Sequence, residues 1–135
     1  VQTKLGHLLF NINGQNRDFY RDLFRFLGWQ ILFEAEGIIG VGDSNHISLW
    51  FGDVTKALAN DYDGPGLNHF AISTATQADV DEAAAYLAER GIAPLFETPR
   101  HRPEFAWEAG ATYYQVMFET PDRILAEIVY TGPKQ

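Results

Sequence analysis

Five side chains of this sequence have the types and placement to do chemistry: His7, His46, His69, His101 and Glu127. His7 lies in "KLGHLLFNI" and His69 in "LNHFAIST", two short apolar segments that read as strands, 62 residues apart. Glu127 sits in "ILAEIVYT" with Ile124, Leu125, Ala126, Ile128 and Val129 around it. A carboxylate in such a run is costly to bury without a partner. Strand alternation puts it on the same face as Leu125 and Val129. Two imidazoles and one carboxylate on facing strands would make a facial triad, which leaves positions open on a divalent ion for water or substrate. Taken singly, a strand histidine is usually structural, and a strand glutamate is usually paired with a base. What distinguishes His7 and His69 is that they recur at the same point of a repeated pattern. His46, at the start of its strand beside the turn "GDSN", has no such counterpart and is expected to be dispensable.

The repeat is visible once the surrounding elements are laid out. Lys4–Ile12 reads as a strand. A helix follows from about Asn16 to Leu27, with Phe19, Leu23, Phe24 and Leu27 at helical spacing, Asn16 as N-cap and Gly28 as the stop. "WQILFEA", "GIIGVGD" and "HISLWFG" read as three strands, and the glycines of the second suggest a bulge or an edge. Residues 55–66, "TKALANDYDGPG", are polar and glycine-containing and read as a linker. The order then begins again. After "LNHFAIST" comes a helix, "QADVDEAAAYLAER", with Thr76 and Asp79 placed as a capping box, a stripe of Val80, Ala84 and Leu87, and Gly91 as the stop. "IAPLFET", "ATYYQVMFET" and "ILAEIVYT" are its three strands. Ser48 falls opposite Glu127 when the halves are overlaid. A strand-helix-three-strand unit has a sheet face it cannot cover alone. The expectation is therefore a single α+β domain of two βαβββ modules, about 4–54 and 67–131, around a cleft. The loop 97–110, carrying Arg100, His101, Arg102, Phe105 and Trp107, suits a lid or an entrance wall.

Composition narrows the function. The chain has 135 residues, a length typical of one domain, and 46% of them are apolar. It has no cysteine, which removes disulfides, thiolate catalysis and cysteine metal sites. A formal net charge of -8 and a pI near 4.8 argue against nucleic acid or an anionic membrane surface as partner. No signal peptide or membrane-length apolar run is visible, and the expected location is the cytoplasm. No glycine-rich phosphate loop occurs.

In this order the motifs resemble the vicinal oxygen chelate superfamily, which includes glyoxalase I, fosfomycin-resistance transferases, methylmalonyl-CoA epimerase, extradiol dioxygenases and bleomycin-binding proteins. The likeness runs through "GHLLFNINGQNRDFYRDLFRFLGWQILF", "LNHFAIST" and "YYQVMFETPDRILAEIV", and so through essentially the whole chain. It implies the glyoxalase/bleomycin resistance/dioxygenase-like fold. It implies that His7, His69 and Glu127 hold one divalent ion (Mn, Fe, Ni, Co or Zn), with Glu127 also catalytic. Ser48 stands where glyoxalase I has a glutamate ligand and is a poor ligand itself. Arg123 stands where the family turn usually has glycine. The activity implied is that of a metal-dependent enzyme on a small organic substrate that chelates through neighbouring oxygens, a lyase or isomerase first, an extradiol-type dioxygenase second. The cleft is expected to draw on Ser48, Trp50, His101, Trp107 and Tyr114. A metal-free drug-binding protein, stacking a flat ligand on Trp50, Phe51, Trp107 and Tyr114, is the alternative from another class. Relatives usually form homodimers, sometimes with exchanged modules, and the same is expected here.

Overall fold

Alternating apolar residues and one amphipathic helix build the first of two compact units, Val1–Ala59. The structure is a computed structural model that describes residues 1–135. Strand β1 (His7–Ile12) leads through a short 3-10 turn into α1 (Arg17–Phe26), and then into β2 (Gln30–Ala35), β3 (Ile38–Gly42) and β4 (Ser48–Asp53). The sheet order is β1-β4-β3-β2, with β1 parallel to β4 and the remaining pairs antiparallel. Phe10, Ile12, Leu49 and Phe51 alternate onto the face that receives Tyr20, Leu23 and Phe24 of α1. The Phe51 ring stacks on Tyr20 at 4.3 Å and on Phe10 at 5.3 Å. Phe51 is thus a core residue beneath the helix, not a cleft wall.

Three local expectations are corrected in this unit. Asn16 makes no capping bond with its side chain; Asn13 does, accepting from the Gln15 amide, because the chain takes a 3-10 turn before the helix proper. Tyr20 is fully buried in the helical stripe, whereas Phe19 and Leu27 are only half-buried. Strand β3 is not an edge: it lies between β4 and β2, and the bulge falls in β2 at Leu32. Its glycines have another use. A Cβ on Gly40 would lie 2.5 Å from the Trp50 ring, so the indole lies over a strand position that only glycine can fill without a clash.

The second unit, Asn60–Gln135, repeats the order: β5 (His69–Ser73), α2 (Gln77–Glu89), β6 (Leu95–His101), β7 (Ala111–Glu119) and β8 (Leu125–Pro133). Its sheet order is β5-β8-β7-β6, with β5 parallel to β8. The capping box forms: Asp79 N donates to Thr76 Oγ1 at 3.1 Å, and Thr76 N donates to Asp79 Oδ2 at 2.9 Å. Val80, Ala83 and Leu87 are buried, so the stripe passes through Ala83 and not Ala84. Gly28 and Gly91 close their helices at φ 81° and 73°. Arg123 takes φ 56° in the turn between β7 and β8, the conformation for which glycine is the usual residue.

Residues 55–66 form neither helix nor strand. The second unit's share of this stretch is tied to the β7–β8 turn, because Asn60 Nδ2 donates to the Arg123 carbonyl at 2.8 Å and the Tyr62 hydroxyl donates to Glu119. The expected long loop is shorter than 97–110, since β6 continues to His101 and a 3-10 turn occupies Pro103–Phe105. Strand β6 manages this by a register jump. Leu95 pairs with Met117, but the next pair is Arg100 with Gln115, and Phe96 and Glu97 adopt left-handed φ of 56° and 59° between them. The buried Thr98 side chain holds the irregularity: its hydroxyl donates to Leu95 O at 2.7 Å and accepts from Met117 N at 2.9 Å. No helix is long and apolar enough to cross a membrane.

Candidate functional site

Glu127 lies in the middle of β8, an inner strand of the second sheet, between Ala71 of β5 and Met117 of β7. Its side chain is only 2% exposed. Oε2 lies 3.1 Å from His69 Nε2, and Oε1 is buried without a partner. His69 starts β5, opposite Leu125, and alternation carries its side chain to the same face as Glu127.

The other ring nitrogen of His69 determines what Nε2 can do. Asn68 Nδ2 donates to the Tyr62 carbonyl at 3.0 Å, which turns Asn68 Oδ1 toward His69 Nδ1 at 2.7 Å. An amide oxygen only accepts, so Nδ1 carries the proton. In the neutral ring Nε2 is then a lone pair aimed at a carboxylate. Two lone-pair donors facing each other require a cation between them or a proton on Nε2. This is the tautomer a metal-ligating histidine takes when a neighbour holds its second nitrogen.

The donor set passes a test of fit for a divalent ion. Imidazole nitrogen and carboxylate oxygen both suit the borderline metals. A 3.1 Å separation is the edge spanned by two ligands each about 2.1 Å from a common ion. Within each unit, however, no three histidine or acidic groups converge on one point. Of the three residues expected as ligands, His69 and Glu127 lie in contact within the second unit. His7 belongs to the first unit, where it pairs in register with Ser48 at the start of β4. The Ser48 hydroxyl accepts from Trp50 Nε1 at 3.0 Å and is engaged in orienting that indole.

A cavity of about 510 Å³ opens over His69 and Glu127. Strand register explains its walls. Residues opposite one another on antiparallel strands share a face. Met117 faces Glu127, so Tyr113, Gln115 and Met117 of β7 line the cavity, and Arg100 joins them because it faces Gln115. Arg102 follows by alternation, and Phe105 lies under its guanidinium. Burial first, and then the adjacent Glu127 carboxylate, push the Tyr113 phenol well above its usual value.

His101 and Tyr114 face the other way. They are paired in register on the helix side of the sheet. His101 Nδ1 contacts Thr112 Oγ1 at 2.7 Å, and the Tyr114 hydroxyl donates to Asp81 of α2 at 2.7 Å. Burial and then that carboxylate push Tyr114 up to about 12. Trp107 is 94% exposed in the loop before β7, beside a separate surface depression that includes His101. His46 sits in the turn before β4 with φ 61°. The polar cavity groups not singled out from the sequence as a site are Tyr62, Asp63, Asn68, Tyr113 and Gln115; Arg100 and Arg102 enter it from β6 and its end instead of from a lid. Asn68 had one local signal, its place directly before His69.

A model of the Glyoxalase/Bleomycin resistance protein/Dioxygenase superfamily matches residues 4–128. The chain belongs to that superfamily. Among solved structures it is similar to a Bacillus halodurans protein named as a glyoxalase, with 27% identity, a TM-score of 0.79 and 96% of each chain covered. It shares the fold of a glyoxalase/dioxygenase from Nostoc punctiforme, at 18% identity and a TM-score of 0.69, covering 97% of this chain and 92% of that one. It also shares the fold of lactoylglutathione lyase from Agrobacterium tumefaciens, at 16% identity and a TM-score of 0.66, covering 96% and 95%. Among curated proteins none matches. The superfamily commonly uses a metal and takes small-molecule ligands, and the two mixed four-stranded sheets with one helix each are its α+β architecture.

Proposed function

We propose that this protein is a metal-dependent enzyme acting on a small organic substrate with neighbouring oxygens, of lyase or isomerase type. The observation that carries the reading is the contact of His69 with the buried Glu127, with Nδ1 of the histidine fixed by Asn68 and Oε1 of the glutamate unsatisfied. His69 and Glu127 would supply two ligands and His7 the third, from the same chain or from the second subunit of a homodimer. The ion, when bound, would polarise the substrate oxygens and stabilise the negative charge that develops on them.

The chain's own groups have separate tasks. Glu127 offers a carboxylate that can take a proton from a substrate carbon held over the sheet. Tyr113 keeps its phenolic proton at neutral pH and can donate a hydrogen bond beside that carboxylate. Met117 and Leu125, both nearly buried, keep the floor of the cavity dry. A dry floor strengthens each electrostatic contact above it.

The test is calorimetric titration of manganese and zinc into metal-stripped protein. Parent, S48A and H46A should bind one ion per site alike. H7A, H69A and E127A should lose tight binding. Refolding H7A together with E127A in equal amounts and recovering about a quarter of the sites would assign His7 to the partner subunit, since half the dimers are mixed and each restores one of its two sites. If E127A bound manganese as tightly as the parent, the triad would be wrong and a metal-free binding protein would replace this reading.

A further inference from the structure

The cavity over Glu127 holds two guanidinium groups in a chain whose net charge is -8. Arg100 has no strong internal partner, and Arg102 is paired through Nε. Arg100 Nη1 lies 3.1 Å from Glu97, a carboxylate almost fully in water, and such a surface pair holds weakly. Arg100 Nε is buried with no hydrogen-bond partner. Arg102 uses Nε for Glu104 at 2.6 Å, with its guanidinium lying over Phe105 at 4.7 Å. Gln115, opposite Arg100 in register, is 4% exposed and faces the same space. Arginine is the residue that recognises planar anions by paired N–H bonds.

We propose that Arg100 and Arg102, with Gln115 beside them, form a carboxylate subsite, and that the substrate is a planar organic acid whose carboxylate is distinct from its chelating oxygens. This rests on the reading that the His69–Glu127 end takes the chelating oxygens. Phe105 and Tyr113, packed edge to face at 5.8 Å, give the same cavity aromatic lining. The register jump in β6, pinned by Thr98, is what brings Arg100 opposite Gln115 on this face.

The probe is 3,4-dihydroxybenzoate, compared with catechol, which has the same vicinal oxygens and no carboxylate. Both are titrated into metal-stripped protein. The parent should prefer the acid by about tenfold or more, the scale of one charge-assisted pair. R100M and R102M should bring the ratio close to one, and R100K should restore part of it, since lysine keeps the charge and loses the fork. Far-UV circular dichroism verifies the fold of each variant, and R102M, altered beyond the end of β6, provides a second route if R100M unfolds. Equal binding of acid and catechol by the parent, or an undiminished preference in both methionine variants, would overturn the subsite. The metal reading is judged separately. R100M should keep the parent's manganese affinity, and E127A should lose it while its acid preference persists.

Discussion

The His69–Glu127 contact makes a directional prediction about stability in the absence of metal. Removing the imidazole strands a carboxylate that is 2% exposed, with neither oxygen paired to a base. Breaking a fully buried pair in this way costs roughly 3–5 kcal/mol. The His69 side chain is 37% exposed, so water can enter where the ring was, and the expected cost of His69→Ala falls to about 2 kcal/mol. Glu127→Gln removes the charge at constant size and should stay within about 1 kcal/mol of the parent, because an ill-matched charge leaves with it. The double variant should then be more stable than H69A alone, with a coupling of about 1–2 kcal/mol. The assay is urea unfolding in chelator at fixed protein concentration, followed by tryptophan fluorescence. With a urea slope of roughly 2 kcal/mol per molar, H69A should lower the midpoint by about 1 M. Manganese at a hundred times its dissociation constant should add about 2.7 kcal/mol to the parent and little to either variant. Equal losses in H69A and E127Q, strictly additive in the double variant, would refute the idea that the histidine neutralises a buried carboxylate.

Three further outcomes follow from particular contacts. Thr98→Val keeps the shape but deprives the buried Met117 amide of its acceptor, and should cost about 1–3 kcal/mol in urea unfolding while weakening the acid preference tied to Arg100. Gly40→Ala places a methyl 2.5 Å from the Trp50 ring; a loss of about 1–3 kcal/mol and a shifted tryptophan emission are expected, and an unchanged spectrum would contradict the packing. Asp43 accepts from the Ile47 and Asn45 amides at 2.9 Å each, and these bonds hold its carboxyl below the usual value. Its folded-state value is depressed, so its contribution is present above about pH 4 and is lost as pH falls through the lower, folded value. Asp43→Asn should remove that part of the acid limb in urea midpoints measured from pH 5 to pH 2.

What the sequence determined by itself was set by neighbours close along the chain. Thr76 and Asp79 cap a helix because their side chains reach amides three residues away. Gly28 and Gly91 end helices because they accept a left-handed turn. Glu127 was conspicuous because every residue around it is apolar, and the repeated βαβββ order needed nothing beyond periodicity. The tertiary structure decided which side chains share the Glu127 face. Alternation has a period of two, so a single step of register exchanges Tyr113 for Tyr114 and Arg100 for His101. That register depends on the irregular turn at Phe96–Glu97 and on the Thr98 bonds that fix it, features with no signature in composition or spacing. The tautomer of His69 was likewise decided in space: Asn68 is its neighbour in sequence, but only the bond to the Tyr62 carbonyl turns the Asn68 oxygen toward the ring.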